Sequence, residues 1–168
     1  MMDSGISIRR ISDDDWDSIV TLEASTYESS GLSEGPVVLK SRASASPATC
    51  FVLEVSQRIA GYVLSLPYPE FHYPDLTRAE ELAGRSCPPW NLHLHDLVIA
   101  DGFRRCGLGN QLLQHLTAMA RSSRYKRISL VAVGGSDTFW SAKGYRAHHE
   151  LLLPKGYGTD AVYMSKKI

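Results

Sequence analysis

The sequence lacks a charge imbalance: 18 Lys and Arg residues offset 18 Asp and Glu in 168 residues. No global field therefore draws the chain to nucleic acid or an anionic membrane, and any anionic partner has to be held by a local arrangement. Cysteine is scarce. Cys50, Cys87 and Cys106 are odd in number and show no metal-type spacing, which argues against a disulfide framework or a zinc module. No apolar segment follows MMDSGISIRR to serve as a secretion signal, and no apolar run approaches membrane-spanning length. The expectation is a cytoplasmic protein with no membrane and no nucleic-acid partner. There are no internal repeats, and the length suits one domain that buries about two thirds of its unfolded surface.

What is present is an alternation of strand-like and helix-like runs. ISIRRIS (6–12) alternates as a strand does, and Asp13–Asp15 can cap a helix carrying Trp16, Ile19, Val20 and Leu22. Pro36 opens a second helical run, PVVLKSRASA, and 50–56 and 58–67 read as a tight hairpin. Residues 68–90 form a connection too long for an ordinary loop, in which Thr77 and Glu80 suggest a capping box for a helix at 78–84. A strand at 91–100 and a helix at 107–122 follow, the helix with Leu108, Leu112, Leu116, Met119 and Ala120 on one face. KRISLVAV (126–133) reads as a buried strand, and SDTFWSAKG as a short helix with Ser136 as cap and Gly144 as stop. YRAHHELLL (145–153) and AVYMSKK (161–167) read as closing strands. The sum is a mixed sheet with helices on both faces, an α/β or α+β layer fold.

The informative stretch is NLHLHDLVIADGFRRCGLGNQLL (91–113). Arg104, Arg105, Cys106, Gly107, Leu108 and Gly109 lead from a strand straight into a helix. A helix N-terminus offers unpaired N–H groups and partial positive charge, glycines let an anion approach the backbone, and arginines add phosphate donors. The dinucleotide fingerprint fails because Leu112 stands where its third glycine would be, and the nucleotide P-loop fails for want of its Lys-Ser/Thr pair. A Gly turn with exposed arginines would account for the motif alone.

His93 and His95 lie two apart on the strand, so their rings share a face about 6.5–7 Å apart at the backbone, while Asp96 is expected on the opposite face. Three readings stand: core histidines bonded to neighbours, two ligands of a metal site with no third ligand identifiable, or a base relay. The relay has a chemical motive. An amine with a pKa near 10.4 is only about 0.04% neutral at pH 7, so removing its proton is worth about 4–5 kcal/mol, and histidine is a suitable acceptor.

The stretch 97–113 resembles the acetyl-CoA-binding motif of the GNAT acetyltransferases, a strand followed by R/Q-x-x-G-x-G/A at the head of a helix. The match is Arg104-x-x-Gly107-x-Gly109, and FWSAKGYR (139–146) resembles that family's F-Y-x-x-x-G-F segment. The resemblance implies a mostly antiparallel sheet of about seven strands with a splayed central pair, in one domain over 1–168. It implies an acyl-CoA N-acyltransferase that uses acetyl-CoA and no metal. The N–H groups of Arg105 to Asn110 would cradle the pyrophosphate, and the backbone of Leu97, Val98 and Ile99 would pair with the pantetheine arm. LHLHDLVI is also similar to the H-L-H-x-L-A-V strand of the arylalkylamine N-acetyltransferase branch, which implies catalytic roles for His93 and His95. Where that branch has a tyrosine near the sulfur, this chain has Trp140, which cannot act as a practical acid and would pack against the pantetheine or the core. Tyr145 would have to reach in, or the thiolate would leave unassisted. Tyr27, Tyr68, Phe71 and Tyr73 are candidates to contact a small-molecule amine, with Glu70 and Asp75 to attract its ammonium. A non-catalytic acyl-CoA-binding module and transfer to a protein or peptide amine are the alternatives, and a monomer or homodimer is expected.

Overall fold

The structure, a computed structural model, describes residues 5–80 and 90–168. Seven strands form one sheet: β1 (Ile6–Arg10), β2 (Phe51–Val55), β3 (Arg58–Pro67), β4 (Asn91–Ile99), β5 (Arg127–Ala132), β6 (Arg146–Ala147) and β7 (Val162–Lys167), in the order β1-β2-β3-β4-β5-β7-β6. The β4–β5 pair is parallel and every other pair is antiparallel. Helices α1 (Trp16–Tyr27) and α2 (Pro36–Ala45) cover one face, where Trp16, Ile19 and Leu39 meet Val52, Tyr62, Leu64 and Val98. Helices α3 (Leu108–Ser122) and α4 (Asp137–Ala142) cover the other.

Local chemistry accounts for most boundaries. β2 and β3 are joined through Ser56 and Gln57, both at positive φ (51° and 66°), as in the two-residue turns whose twist matches that of a hairpin. The α3 stripe Leu108, Leu112, Leu113, Leu116 and Ala120 is buried. At about 1.5–3 kcal/mol per buried leucine, that face anchors the helix far more strongly than its propensity does. Ser136 precedes α4 but its hydroxyl donates to the Val133 carbonyl (2.7 Å), so it is not a side-chain cap; Gly144, at φ 92°, ends the turn.

Two sequence expectations fail. The run 145–153 is strand only at Arg146–Ala147. After His148 bonds Tyr163, the chain turns with Leu151 N–H on the His148 carbonyl, and Leu152 is 87% exposed. Three consecutive leucines supplied the apolar content of a strand without a place in the sheet. The helix proposed at 78–84 does not begin at Arg78. Asp75 instead accepts from Thr77 N–H (2.9 Å) and Oγ1 (2.6 Å), and Glu80 turns to Arg42, so the capping box is absent. Residues 81–84, like Cys87, lie outside the described residues.

The centre of the sheet departs from regularity twice. On β3, Leu64 pairs with Asp96 while the next residue, Ser65, pairs with Leu94, so His95 is an extra residue bulged out of β4. The β4–β5 ladder runs only from Asn91↔Arg127 to Leu94↔Leu130, although both strands continue. Beyond Leu94 they splay apart. Gly61 of β3 is what lets β4 lie close there, because a Cβ would come within 2.6 Å of Ile99 Cδ1 and 2.7 Å of the Val98 carbonyl oxygen. Gly61→Ala is therefore expected to destabilise the fold by about 1–3 kcal/mol. A urea midpoint equal to that of the unaltered chain would contradict this close approach.

Candidate active site

The splay opens a cleft of about 470 Å³. Leu94, His95, Asp96 and Leu97 of β4 form one wall and Leu130, Val131 and Val133 the other; Trp140 of α4 and Glu23 and Tyr27 of α1 close it, with Glu34, Leu76 and Tyr157. The bulge decides which side chains arrive. Leu94 and Leu97 belong to the α3 side of the sheet, so the two residues between them, His95 and Asp96, both turn toward α1 and α2. Simple alternation would have put Asp96 on the opposite face, and the extra residue corrects that expectation.

Asp96 is buried and accepts hydrogen bonds from the hydroxyls of Tyr27 (2.8 Å) and Tyr62 (2.5 Å). Burial pushes its carboxyl up to about 6, which the nearby His95 ring and the two hydroxyls offset only in part. His95 bonds through Nε2 to Glu34, while its Nδ1 is buried with no partner among the described residues. Glu34 also receives Arg42 through Nε (3.2 Å) and Nη2 (2.8 Å). Burial alone would raise the Glu34 carboxyl, but His95 and Arg42 outweigh it and hold it below its ordinary range. Arg42, 1% exposed, further donates to Glu80 and to the Asp75 carbonyl (2.8 Å), which fastens the 68–80 connection to α2.

His93 sits apart from the cleft lining. It is buried, with Nδ1 on the Ser129 hydroxyl (2.9 Å) and its ring 6.4 Å from those of His95 and Tyr163. Burial first, then His95 and Arg42, push its pKa far below the ordinary histidine value. Of the aromatic candidates, Tyr27 reaches the cleft. Tyr68 leans on His93 and donates to Glu80, Phe71 lies tilted against Tyr163 and edge-on to His148, and Tyr73 rests edge-on against Tyr157. Glu70 pairs with Arg127 (3.2 Å) rather than facing the cleft.

Sequence reasoning missed Glu23, Glu34 and Tyr157. Glu23 carried a signal, since it falls on the same α1 stripe as Trp16 and Ile19 and is buried with them. Its carboxylate accepts from the Ser33 hydroxyl (2.5 Å) and the Glu34 N–H (2.7 Å). Tyr145 is buried against Trp140 (ring centroids 5.3 Å) and is not part of the lining, while Trp140 is both core and cleft wall.

At the other end, Gly107 at φ 76° caps α3, and the first helical bond runs from Gln111 N–H to the Gly107 carbonyl (3.1 Å), leaving the N–H groups of Leu108, Gly109 and Asn110 ahead of it. Arg105 also has positive φ (64°), and Arg104 donates to the Ile99 carbonyl (3.0 Å). Peptide groups alternate between the two edges of an antiparallel strand. Because Ala100 N–H bonds Ala60 on β3, the groups of Leu97 and Ile99 face the opened side, and those of Val98 face β3.

The model of the Acetyltransferase (GNAT) family matches residues 16–145, and the chain belongs to that family. No curated protein sequence matches the chain. Among solved structures it is similar to Ard1 from Thermoplasma volcanium (19% identity, 98% of each chain, TM-score 0.73). It is also similar to Arabidopsis thaliana Naa50 in complex with the bisubstrate analogue CoA-Ac-MVNAL (13% identity, 98% of this chain and 99% of that one, TM-score 0.63). A third is the GphF GNAT-like decarboxylase in complex with isobutyryl-CoA (18% identity, 96% and 98%, TM-score 0.76). The protein is thus an acetyltransferase of the acyl-CoA N-acyltransferase type that uses acetyl-CoA. The open edge of β4 and the bare N-terminus of α3 fit an extended arm ending in a pyrophosphate. Among the described residues no cluster of His, Cys, Asp or Glu is suited to hold a metal ion, and no helix is long and apolar enough to cross a membrane.

A carboxyl whose folded pKa is raised binds a proton that the unfolded chain has already lost. Asp96 therefore makes stability fall as pH rises between its ordinary 3.8 and about 6, by about 3 kcal/mol in all. Asp96→Asn is expected to remove that falling limb from urea unfolding measured across the interval. An unchanged pH profile would contradict the buried, cleft-facing carboxyl.

Proposed function

We propose that the chain moves an acetyl group from acetyl-CoA to the amine of a small molecule by direct attack, with His95 as the proton acceptor. The observation that carries this reading is the Glu34–His95 pair on the cleft wall where β4 and β5 separate. In its neutral form the ring keeps its hydrogen on Nε2 toward ionised Glu34 and presents a lone pair at Nδ1. A proton taken at Nδ1 makes an imidazolium that Glu34 stabilises in place, itself steadied by Arg42. His93, neutral and bonded to Ser129, packs behind the His95 ring outside the cleft lining, so the proton step is assigned to His95 alone. The H-L-H motif shared with the arylalkylamine branch supports the same assignment.

Acetyl-CoA, when bound, supplies the thioester. The N–H groups at 108–110 with Arg104, Arg105 and Cys106 in the turn would hold its pyrophosphate, and the backbone of Leu97 and Ile99 its arm, with Trp140 as a wall. The leaving thiolate has a pKa near 8.5 and does not require an acid. A small acceptor is supported by the roof of the cleft. Tyr157 donates to the Pro74 carbonyl, Arg42 holds Asp75, and Phe71 N–H donates to Tyr163 (2.8 Å), so the 68–80 connection is tied down on three elements. Leu76 of that connection lines the cleft, so its described part forms a fixed wall beside the acceptor.

His95→Gln is expected to lower kcat/KM for amine acetylation by about 10²–10⁴ near neutral pH. The deficit should shrink as pH rises toward the pKa of the amine, because bulk solvent then supplies the neutral form. Free-thiol release over a pH series measures it. An equal deficit at every pH, or none, would return His95 to a packing role.

A further inference from the structure

Resting on the acetyl-transfer reading above, we infer that the acceptor is an amine carrying a second positive charge and no negative one, of the short aliphatic diamine class. The acceptor end of the cleft is lined by Glu23, Glu34, His95 and Asp96. Arg104 is the one Lys or Arg among the described lining residues, and it belongs to the coenzyme end, on the Ile99 carbonyl and paired with Asp101 (2.6 Å). Arg42 matches Glu34 from behind. Among the described residues, Glu23 and Asp96 accept hydrogen bonds from neutral donors, a serine hydroxyl and a peptide N–H for one, two tyrosine hydroxyls for the other.

A second observation is the unpartnered nitrogen of the His95 ring. Its side chain is 2% exposed, it lines the cleft, and Nδ1 has no partner among the described residues. In the neutral ring, with its hydrogen on Nε2 toward Glu34, Nδ1 is a hydrogen-bond acceptor. Among the described residues, the buried groups on that wall, the Glu23, Glu34 and Asp96 carboxylates and the neutral His95 ring, are thus hydrogen-bond acceptors. An ammonium is their complement, with three donors and no lone pair, whereas a carboxylate would add like charge in a desolvated site.

The single charge of the reacting ammonium, passed to His95 as an imidazolium, offsets at most one of Glu23 and Asp96. The two carboxylates are also separate points. Glu23 lies four residues before Tyr27 on the same face of α1, and it is the Tyr27 hydroxyl that touches Asp96. A second cationic centre on the acceptor matches the carboxylate that the reacting amine leaves.

The test compares putrescine, n-butylamine and γ-aminobutyrate, chains of similar length whose far ends are cationic, apolar and anionic. Thiol release from acetyl-CoA gives kcat/KM, and calorimetry with the CoA-loaded protein gives binding. The expected order is putrescine above n-butylamine by about tenfold or more, with γ-aminobutyrate last. In Glu23→Gln the putrescine-to-butylamine ratio should collapse toward one. Equal rates for putrescine and n-butylamine, a preference for γ-aminobutyrate, or an unchanged ratio in the variant would overturn the inference while leaving acetyl transfer standing. Absence of thiol release with every amine would instead refute the acetyl-transfer reading. The binding order then still decides: tighter putrescine supports the dicationic site, and no preference over γ-aminobutyrate overturns it.

Discussion

The one extra residue in β4 organises everything around the cleft. Without the bulge at His95, strict alternation would carry Asp96 to the α3 side, and a carboxylate would sit among the leucines of α3. With it, His95 and Asp96 face the same space, and the strand bends away from β5 immediately past the last paired residues, Leu94 and Leu130. Bulges re-aim side chains and end pairing, and here one irregularity does both. The coenzyme edge and the acceptor wall are consequences of a single local geometry.

Around that point the protein has committed several buried charges. Arg42, Glu34 and Glu80 are nearly inaccessible, and a buried ion pair often contributes no more stability than apolar groups of similar volume. Their arrangement makes sense as positioning. Arg42 joins α2 to the 68–80 connection and, through Glu34, to the His95 ring. The orientation of the imidazole and the placement of the cleft roof are thereby set by the same guanidinium, so a displacement of one is felt by the other.

Much of this was legible in the sequence, and the limits have physical causes. The strand–turn–helix of 91–113 is a local pattern, and its glycines and arginines have meaning only at a helix head, so the coenzyme end could be read directly. The hairpin and α3 were equally local. The bulge leaves no compositional trace, since LHLHDLVI reads as unbroken alternation, and the place of Asp96 was lost with it. Glu34 and Arg42 lie some 50–60 residues from His95 in sequence, and only the fold makes them partners. The aromatic residues of 68–73 suggested a substrate wall, but their rings are taken up by the C-terminal strands and by His93, and Tyr157 supplies the wall instead.

The central claim is that the bulge presents His95 to the cleft with its Nε2 hydrogen on Glu34 and a lone pair on Nδ1. Nitrogen-15 NMR of the imidazole in the free protein near neutral pH tests it most directly. The account predicts a proton-bearing Nε2 and an unprotonated Nδ1 for His95, with the Nε2 signal altered in Glu34→Gln. A proton resident on Nδ1, or a ring that does not sense Glu34, would contradict it.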